Sequence, residues 1–191
     1  MVEHTDVDSH KLMFHPERVA EFNEKGDCCP IYIEIGLTNA CNHKCIFCAL
    51  DYLDNEGIFI NKDVLISNLG LMAEKGVKSI MFAGEGEPLM HKDIGLFVKK
   101  AKESGIDVSI TTNGILFNET KIEECLPHLS WIRFSIDAAT PESYSRIHGT
   151  KKEDFDKLMD NLKKAVLFRN KNNLKTTIGT QFLMISENVN E

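Results

Sequence analysis

From Ile31 onward the chain alternates strand-sized apolar runs with longer amphipathic segments, and this rhythm restricts the fold more than any other feature. Ile31–Leu37 reads as a first strand, Ser79–Ala83 as a second and Asp107–Thr111 as a third; Trp131–Ile136 and Thr176–Met184 read as the fourth and fifth. Lys62–Lys75 carries Val64, Leu65, Leu69 and Met72 at helical spacing and stops at Gly76. Asp93–Ser104 stops at Gly105, Asn118–Leu126 stops at Pro127, and Pro141–Ile147 is a short helical piece. Asp154–Phe168 places Phe155, Leu158, Leu162, Ala165 and Val166 on one side. Strands separated by helices imply right-handed crossovers and a parallel sheet. Strands rich in Ile, Val and Phe suit a sheet covered on both faces. Two α/β architectures meet these demands: a doubly wound sheet and a TIM-type barrel, complete or partial. Periodicity does not choose between them. No glycine fingerprint of the dinucleotide-binding kind follows the first strand, which runs instead into cysteines.

That loop is Cys41-Asn42-His43-Lys44-Cys45-Ile46-Phe47-Cys48, a C-x3-C-x2-C spacing. Three soft thiolates on one short loop can hold three irons of a cubane, which leaves the fourth iron open to a small molecule. Structural zinc is the alternative metal, but a closed zinc site wants four ligands, and a second cysteine knuckle is missing. The loop leaves the C-terminal end of the first strand, where parallel α/β folds open their sites. The chain has six cysteines. A tight trio without a recognisable export signal reads as metal ligation in a reducing compartment, not as a disulfide framework. Cys28 and Cys29 precede the first strand and read as free or buried thiols, and Cys125 occupies an apolar helix position.

The motif Cys41–Cys48, with an aromatic at Phe47, resembles the CxxxCxxC loop of the radical SAM superfamily. Three further elements resemble that family in order. Gly84-Glu85-Gly86-Glu87-Pro88 looks like its GGEP element after strand two, and Thr111-Thr112-Asn113-Gly114 like its TNG turn after strand three. Arg133-Phe134-Ser135-Ile136-Asp137-Ala138, followed by Pro141-Glu142-Ser143-Tyr144, is similar to its strand-four signature, most of all in the branch that carries SPASM or twitch extensions. The resemblance covers residues 31 to 191 and implies a partial TIM-type (β/α)6 barrel. It also implies a [4Fe-4S] cluster on Cys41, Cys45 and Cys48, whose open iron chelates S-adenosylmethionine. One electron would cleave the sulfonium to methionine and a 5′-deoxyadenosyl radical, which abstracts hydrogen from a substrate.

For the cofactor contacts, the resemblance implies that Gly84 and Gly86 admit close backbone approach, with Pro88 fixing the turn. Glu87 or nearby carbonyls would accept from the methionyl ammonium. Phe47 covers adenine or merely packs the loop; Asn113 stands near the ligand or only makes a tight turn. Ser135 would contact ribose or the methionyl carboxylate, while Asp137 either joins it or caps the following turn. Arg146 pairs with a carboxylate of the ligand or is a solvated helix charge. His91 reads as a rim histidine, with a general base as the sharper alternative.

Lys plus Arg is 22 against 29 Asp plus Glu, a net charge of -7, which argues against a general nucleic-acid backbone binder. No apolar run has membrane length, and Met1–Asp6 lacks the basic and apolar regions of a signal peptide, so the cytoplasm is the expected location. Residues 1–30 are expected to form an appendage, with one helix from Pro16 to Lys25, and residues 31–191 the core. That core is expected to be incomplete: strand five has no covering helix, so a C-terminal extension or self-association should fill the gap. The implied partners are a flavodoxin- or ferredoxin-type electron donor and a peptide, protein or small-molecule substrate. Sugar or aminoglycoside dehydrogenation is a comparable reaction. The different-class alternative is a non-catalytic or split cluster-binding module.

Overall fold

The structure, a computed structural model, describes residues 10–50 and 57–191; the acidic start at Met1–Asp6 lies outside the described residues. Among these residues five strands form one sheet: β1 (Tyr32–Ile35), β2 (Ser79–Phe82), β3 (Asp107–Thr112), β4 (Trp131–Ser135) and β5 (Thr177–Gln181). They lie side by side in chain order, and every neighbouring pair is parallel. A doubly wound sheet reverses its strand order at a switch point. This sheet does not, so the fold is a partial (β/α) barrel. Among the described residues six α-helices accompany the strands: α1 (Pro16–Lys25), α2 (Lys62–Glu74), α3 (Ile94–Glu103), α4 (Glu119–Cys125), α5 (Pro141–His148) and α6 (Glu153–Lys171).

The helix boundaries follow local chemistry. Asn61 caps α2 by accepting from the backbone N–H groups of Asp63 and Val64, and Asn118 caps α4 through Lys121. Thr140 and Ser143 form a reciprocal capping box at the start of α5, with Pro141 in the first turn. Strand five is shorter than Thr176–Met184. The Leu183 N–H donates to the Asp137 carboxylate and the Leu183 carbonyl accepts from the Asn188 side chain, so the chain leaves the ladder after Gln181. The acidic run after Ser186 makes turns held by Asn188 and does not begin a helix.

The two faces of the sheet differ. Ile33, Ile35, Ile80, Phe82, Val108, Ile110, Ile132 and Phe134 point to the helices and join Leu65, Leu69, Phe97, Val98, Ile122, Leu158 and Ala165 in one core. Strand alternation puts Tyr32, Glu34, Met81, Ser109, Thr111, Trp131, Arg133 and Ser135 on the opposite, concave face. A closed TIM barrel fills that interior with branched aliphatics; here it is largely polar. Cys125 is fully buried in the core, as its helical position predicts.

The N-terminal segment packs against the rim opposite the cysteine loop. His10 Nε2 lies 2.8 Å from Asp107 Oδ2, and Arg18 donates to the Gly76 carbonyl. Asp107 also accepts from Lys102 and Ser130. Partial burial pushes its carboxyl up, but the bonds from Lys102, His10 and Ser130 outweigh this and hold it down at about 2. A group with a depressed folded pKa stabilises above its unfolded value and loses that contribution as pH falls through the folded one. Asp107→Asn should therefore destabilise by roughly 1 kcal/mol at pH 7, the modest size reflecting solvent screening of a partly exposed group. Melting curves of both forms should converge as pH falls from about 4 to about 2. A constant gap across that range would contradict the assignment.

Candidate functional site

The cysteine loop follows β1 and is fastened at both ends. Thr38 donates its hydroxyl to the Ile58 carbonyl at 2.7 Å and accepts from the Ala40 N–H. Further on, the Lys44 and Ile46 N–H groups donate to the carbonyls of His148 and Ile147 at 3.0 and 2.9 Å. These are the orphan carbonyls at the end of α5, so the loop supplies donors that the helix terminus lacks. Gly149 closes α5 in the left-handed conformation, and a Cβ there would strike the Lys44 carbonyl. Glycine is thus required twice over, by conformation and by close approach.

The loop after β2 is locked to its neighbours through Glu87, which is 2 % exposed. Its Oε1 accepts from the Leu89 N–H at 3.0 Å and the Thr112 hydroxyl at 2.6 Å, and its Oε2 from the Asn113 N–H at 2.8 Å. Burial raises its carboxyl above the usual range, and these donors pull it back. Its own N–H donates to the Ala40 carbonyl. Gly86 lies against the carbonyls of Thr38 and Ala40, where any Cβ would collide. Asn113 Nδ2 reaches Asn42 Oδ1 at 2.8 Å. The loops after strands one, two and three are therefore one hydrogen-bonded unit.

A cavity of about 200 Å³ opens among these loops. It brings together Cys41, Cys45, Cys48, Phe47, Gly84, Gly86, Glu87, Asn113 and Ser135. Cys41 and Cys48 are exposed, Cys45 is half-buried, and none is in a disulfide. Pro88 and Asp137 do not line the cavity. Pro88 is buried in the single turn Pro88–Met90. Asp137, at φ +52°, is buried and accepts from Leu183 at 2.6 Å. Glu87 meets the cavity with both carboxylate oxygens already occupied by protein donors. Arg146 donates to the Glu187 carbonyl, and His91 bonds the Ile60 carbonyl and accepts from the Asp93 N–H within the core.

Sequence reasoning missed His148 behind the cysteine loop and set His43 aside as too close to the cysteines to serve as a ligand. His148 Nδ1 lies 3.2 Å from Cys45 Sγ, its Nε2 bonds the Ile136 carbonyl at 2.9 Å, and its ring packs on Tyr144 and Phe47. His148 and Cys45 are 103 positions apart, so no local spacing could have paired them. His43 is 4 % exposed, and neither ring nitrogen has a hydrogen-bond partner. Burial and the neighbouring His148 push it down to about 4, so it is neutral at pH 7. Donor atoms of His43, Cys45 and His148 lie within 4.8 Å of one another, a spacing suited to one metal ion. Thr112 was missed too, although it sits within the quoted Thr111–Gly114 turn. The donor chemistry fits an iron–sulfur group: three thiols outside any disulfide line one cavity, and the glycines beside them leave no side chain in the way.

A partial barrel with a cysteine trio at its C-terminal mouth defines a metal-binding α/β class. The Radical SAM superfamily model matches residues 35–189, and the chain belongs to that superfamily. Among curated relatives, it is 29% identical over 135 residues to a "Probable GTP 3′,8-cyclase" of Saccharolobus solfataricus, covering 70% of this chain and 43% of that protein. It is 33% identical over 141 residues to one of Methanocaldococcus jannaschii, covering 70% and 45%. The chain thus spans less than half the length of these relatives. Among solved structures, it superposes on Streptococcus suis SuiB bound to precursor peptide SuiA with a TM-score of 0.68 at 21% identity, covering 92% of this chain and 38% of that one. For archaeal TYW1 the TM-score is 0.57 at 17% identity, covering 96% and 65%. These likenesses establish the fold. Among the described residues no helix is long and apolar enough to cross a membrane.

Glu87→Gln keeps the shape but turns an amide donor toward one of three incoming donors. It should cost about 1–3 kcal/mol in urea unfolding and speed hydrogen exchange at the Asn113 amide. Glu85→Gln, at an exposed neighbour, should stay within about 0.5 kcal/mol. Equal effects from the two would remove Glu87 from its place as the loop fastener.

Proposed function

We propose that this chain is the cluster- and cofactor-binding core of a radical SAM enzyme, with a [4Fe-4S] group on Cys41, Cys45 and Cys48 and S-adenosylmethionine beside it. The observation that carries this reading is the meeting of the three thiols with Gly84, Gly86, Asn113 and Ser135 around one cavity. When bound, the cluster supplies the electron that cleaves S-adenosylmethionine to methionine and a 5′-deoxyadenosyl radical. The protein's work is placement and exclusion of water. Gly84 and Gly86 leave the wall bare so that backbone carbonyls can accept from the methionyl ammonium, while Glu87, engaged by its protein donors, holds the loop that presents them. Phe47 covers one side as an apolar lid, and Ser135 offers a hydroxyl at the end of β4. Asp137 holds the turn after β4 through Leu183.

The substrate is a peptide, a protein or a small molecule that gives up a hydrogen atom, and the electron comes from a flavodoxin or ferredoxin. The likeness to SuiB supports a SPASM-branch peptide reaction and the curated relatives support a small-molecule one. A second reading is a cluster-holding module that turns over only with a further segment or partner; β5 pairs only with β4 among the described residues.

Anaerobic reconstitution with iron and sulfide should load about four irons per chain, since three thiolates and one open position complete a cubane. With dithionite and S-adenosylmethionine, the product to measure is 5′-deoxyadenosine. Replacing Cys41, Cys45 or Cys48 by Ala should lower its formation at least a hundredfold, whereas Cys28→Ala should leave it unchanged. A loaded cluster that yields no 5′-deoxyadenosine would favour the module reading. One tetrahedral zinc per chain, bound in preference to iron, would overturn both.

A further inference from the structure

Arg133 stands half-buried on the concave face of β4, two residues below Ser135. Its Nη2 donates to Thr111 Oγ1 at a long 3.3 Å, and its guanidinium carbon sits 5.7 Å from the Trp131 ring centroid. Its Nε is buried and has no hydrogen-bond partner. A guanidinium carries five N–H donors in a rigid fork. Among the described residues no carboxylate forms an ion pair with it. The exposed part of this half-buried guanidinium can be met by water, but the buried Nε–H cannot, and an unmet charged donor marks a place where an acceptor is missing.

The surroundings say where that acceptor would come from. The register sets Arg133 between Thr111 on β3 and Gly179 on β5. Gly179 has no side chain, and a Cβ added there would meet nothing within 4 Å, so the fork is uncovered on that side. Thr111 and Ser135 both line the cysteine cavity. Arg133 itself does not line that cavity; it stands on the same concave face one inward position before Ser135, about 7 Å away at the rise of a strand. Trp131 beneath it holds the guanidinium by its ring face.

We propose that Arg133 selects the substrate by taking one of its oxyanions, a carboxylate or a phosphate, so that the rest of the molecule points up into the cysteine cavity. This rests on the radical SAM reading for what happens to the molecule, but not for the binding itself. A planar fork meets either oxyanion through two parallel hydrogen bonds. Glu34 lies on the same concave face, where it accepts from the Tyr32 hydroxyl at 3.2 Å, and the Asp137 carboxyl, raised by burial, is drawn back in part by the Arg133 charge. A single guanidinium among acidic neighbours suits a single oxyanion and not a run of phosphates.

The test reads the orphan donor directly. The chain is labelled with 15N-arginine, and the Arg133 Nε–H resonance is assigned by its loss in Arg133→Gln. Glutarate and glycerol 3-phosphate are titrated against their neutral counterparts glutaramide and glycerol, into both cluster-loaded and cluster-free protein. The proposal expects this resonance to move and saturate with one or both charged probes, at an affinity about tenfold better than the neutral counterpart, the usual worth of a charge-assisted bond. Whichever probe moves it names the oxyanion. Arg133→Gln should lose the preference and Arg133→Lys keep part of it. No movement with either charged probe overturns the proposal, as does equal movement with the neutral ones. Movement on adding S-adenosylmethionine alone also overturns it, because the guanidinium then serves the cofactor. Cluster loading is scored separately by visible absorption. A chain that fails to load but still shows the anion shift would defeat the radical SAM reading and leave the Arg133 site standing.

Discussion

The site depends on one buried carboxylate. Glu87 accepts from Leu89, Thr112 and Asn113, and its backbone N–H reaches Ala40. Through that one residue, the loops after three successive strands hold a single arrangement. A lone buried carboxylate would be costly. Three donors of fixed geometry make it a fastener, because each would lose its own partner if the others moved. The cysteine loop inherits its position from this joint on one side and from the last turn of α5 on the other. The parallel register supplies what the joint needs: it brings the C-terminal ends of β1, β2 and β3 to one rim.

The two faces of the sheet divide the work. The helix side is a dense apolar core, and it carries the stability. The concave side gives up that filling for Glu34, Ser109, Thr111, Arg133 and Ser135. Polar groups on a partly open wall can stay hydrated until a ligand replaces the water, so this face can be polar without the cost of a buried unsatisfied core.

Much of this was legible beforehand because it is local. Alternating apolar runs and Gly or Pro stops located the strands and α-helices to within a few residues, and the cysteine spacing pointed to the loop that the fold sets at the cavity mouth. The end of β5 was misjudged because Phe182, Leu183 and Met184 continue the apolar run, while the Leu183 N–H goes to Asp137, 46 positions away. The part played by Glu87 was only half visible for the same kind of reason. The family resemblance implied a ligand contact, and only the folded arrangement shows its oxygens engaged by Leu89, Thr112 and Asn113. His148 left no trace in the sequence, since its partner Cys45 is brought to it by the fold alone.

The central claim is that three thiols at this mouth leave one iron open to a small molecule. Mössbauer spectra of protein reconstituted with 57Fe, recorded with and without S-adenosylmethionine, test it most directly. The account predicts that one iron in about four changes its signal on addition while the others hold theirs. Spectra in which all irons stay the same, or in which no cubane forms, would contradict it.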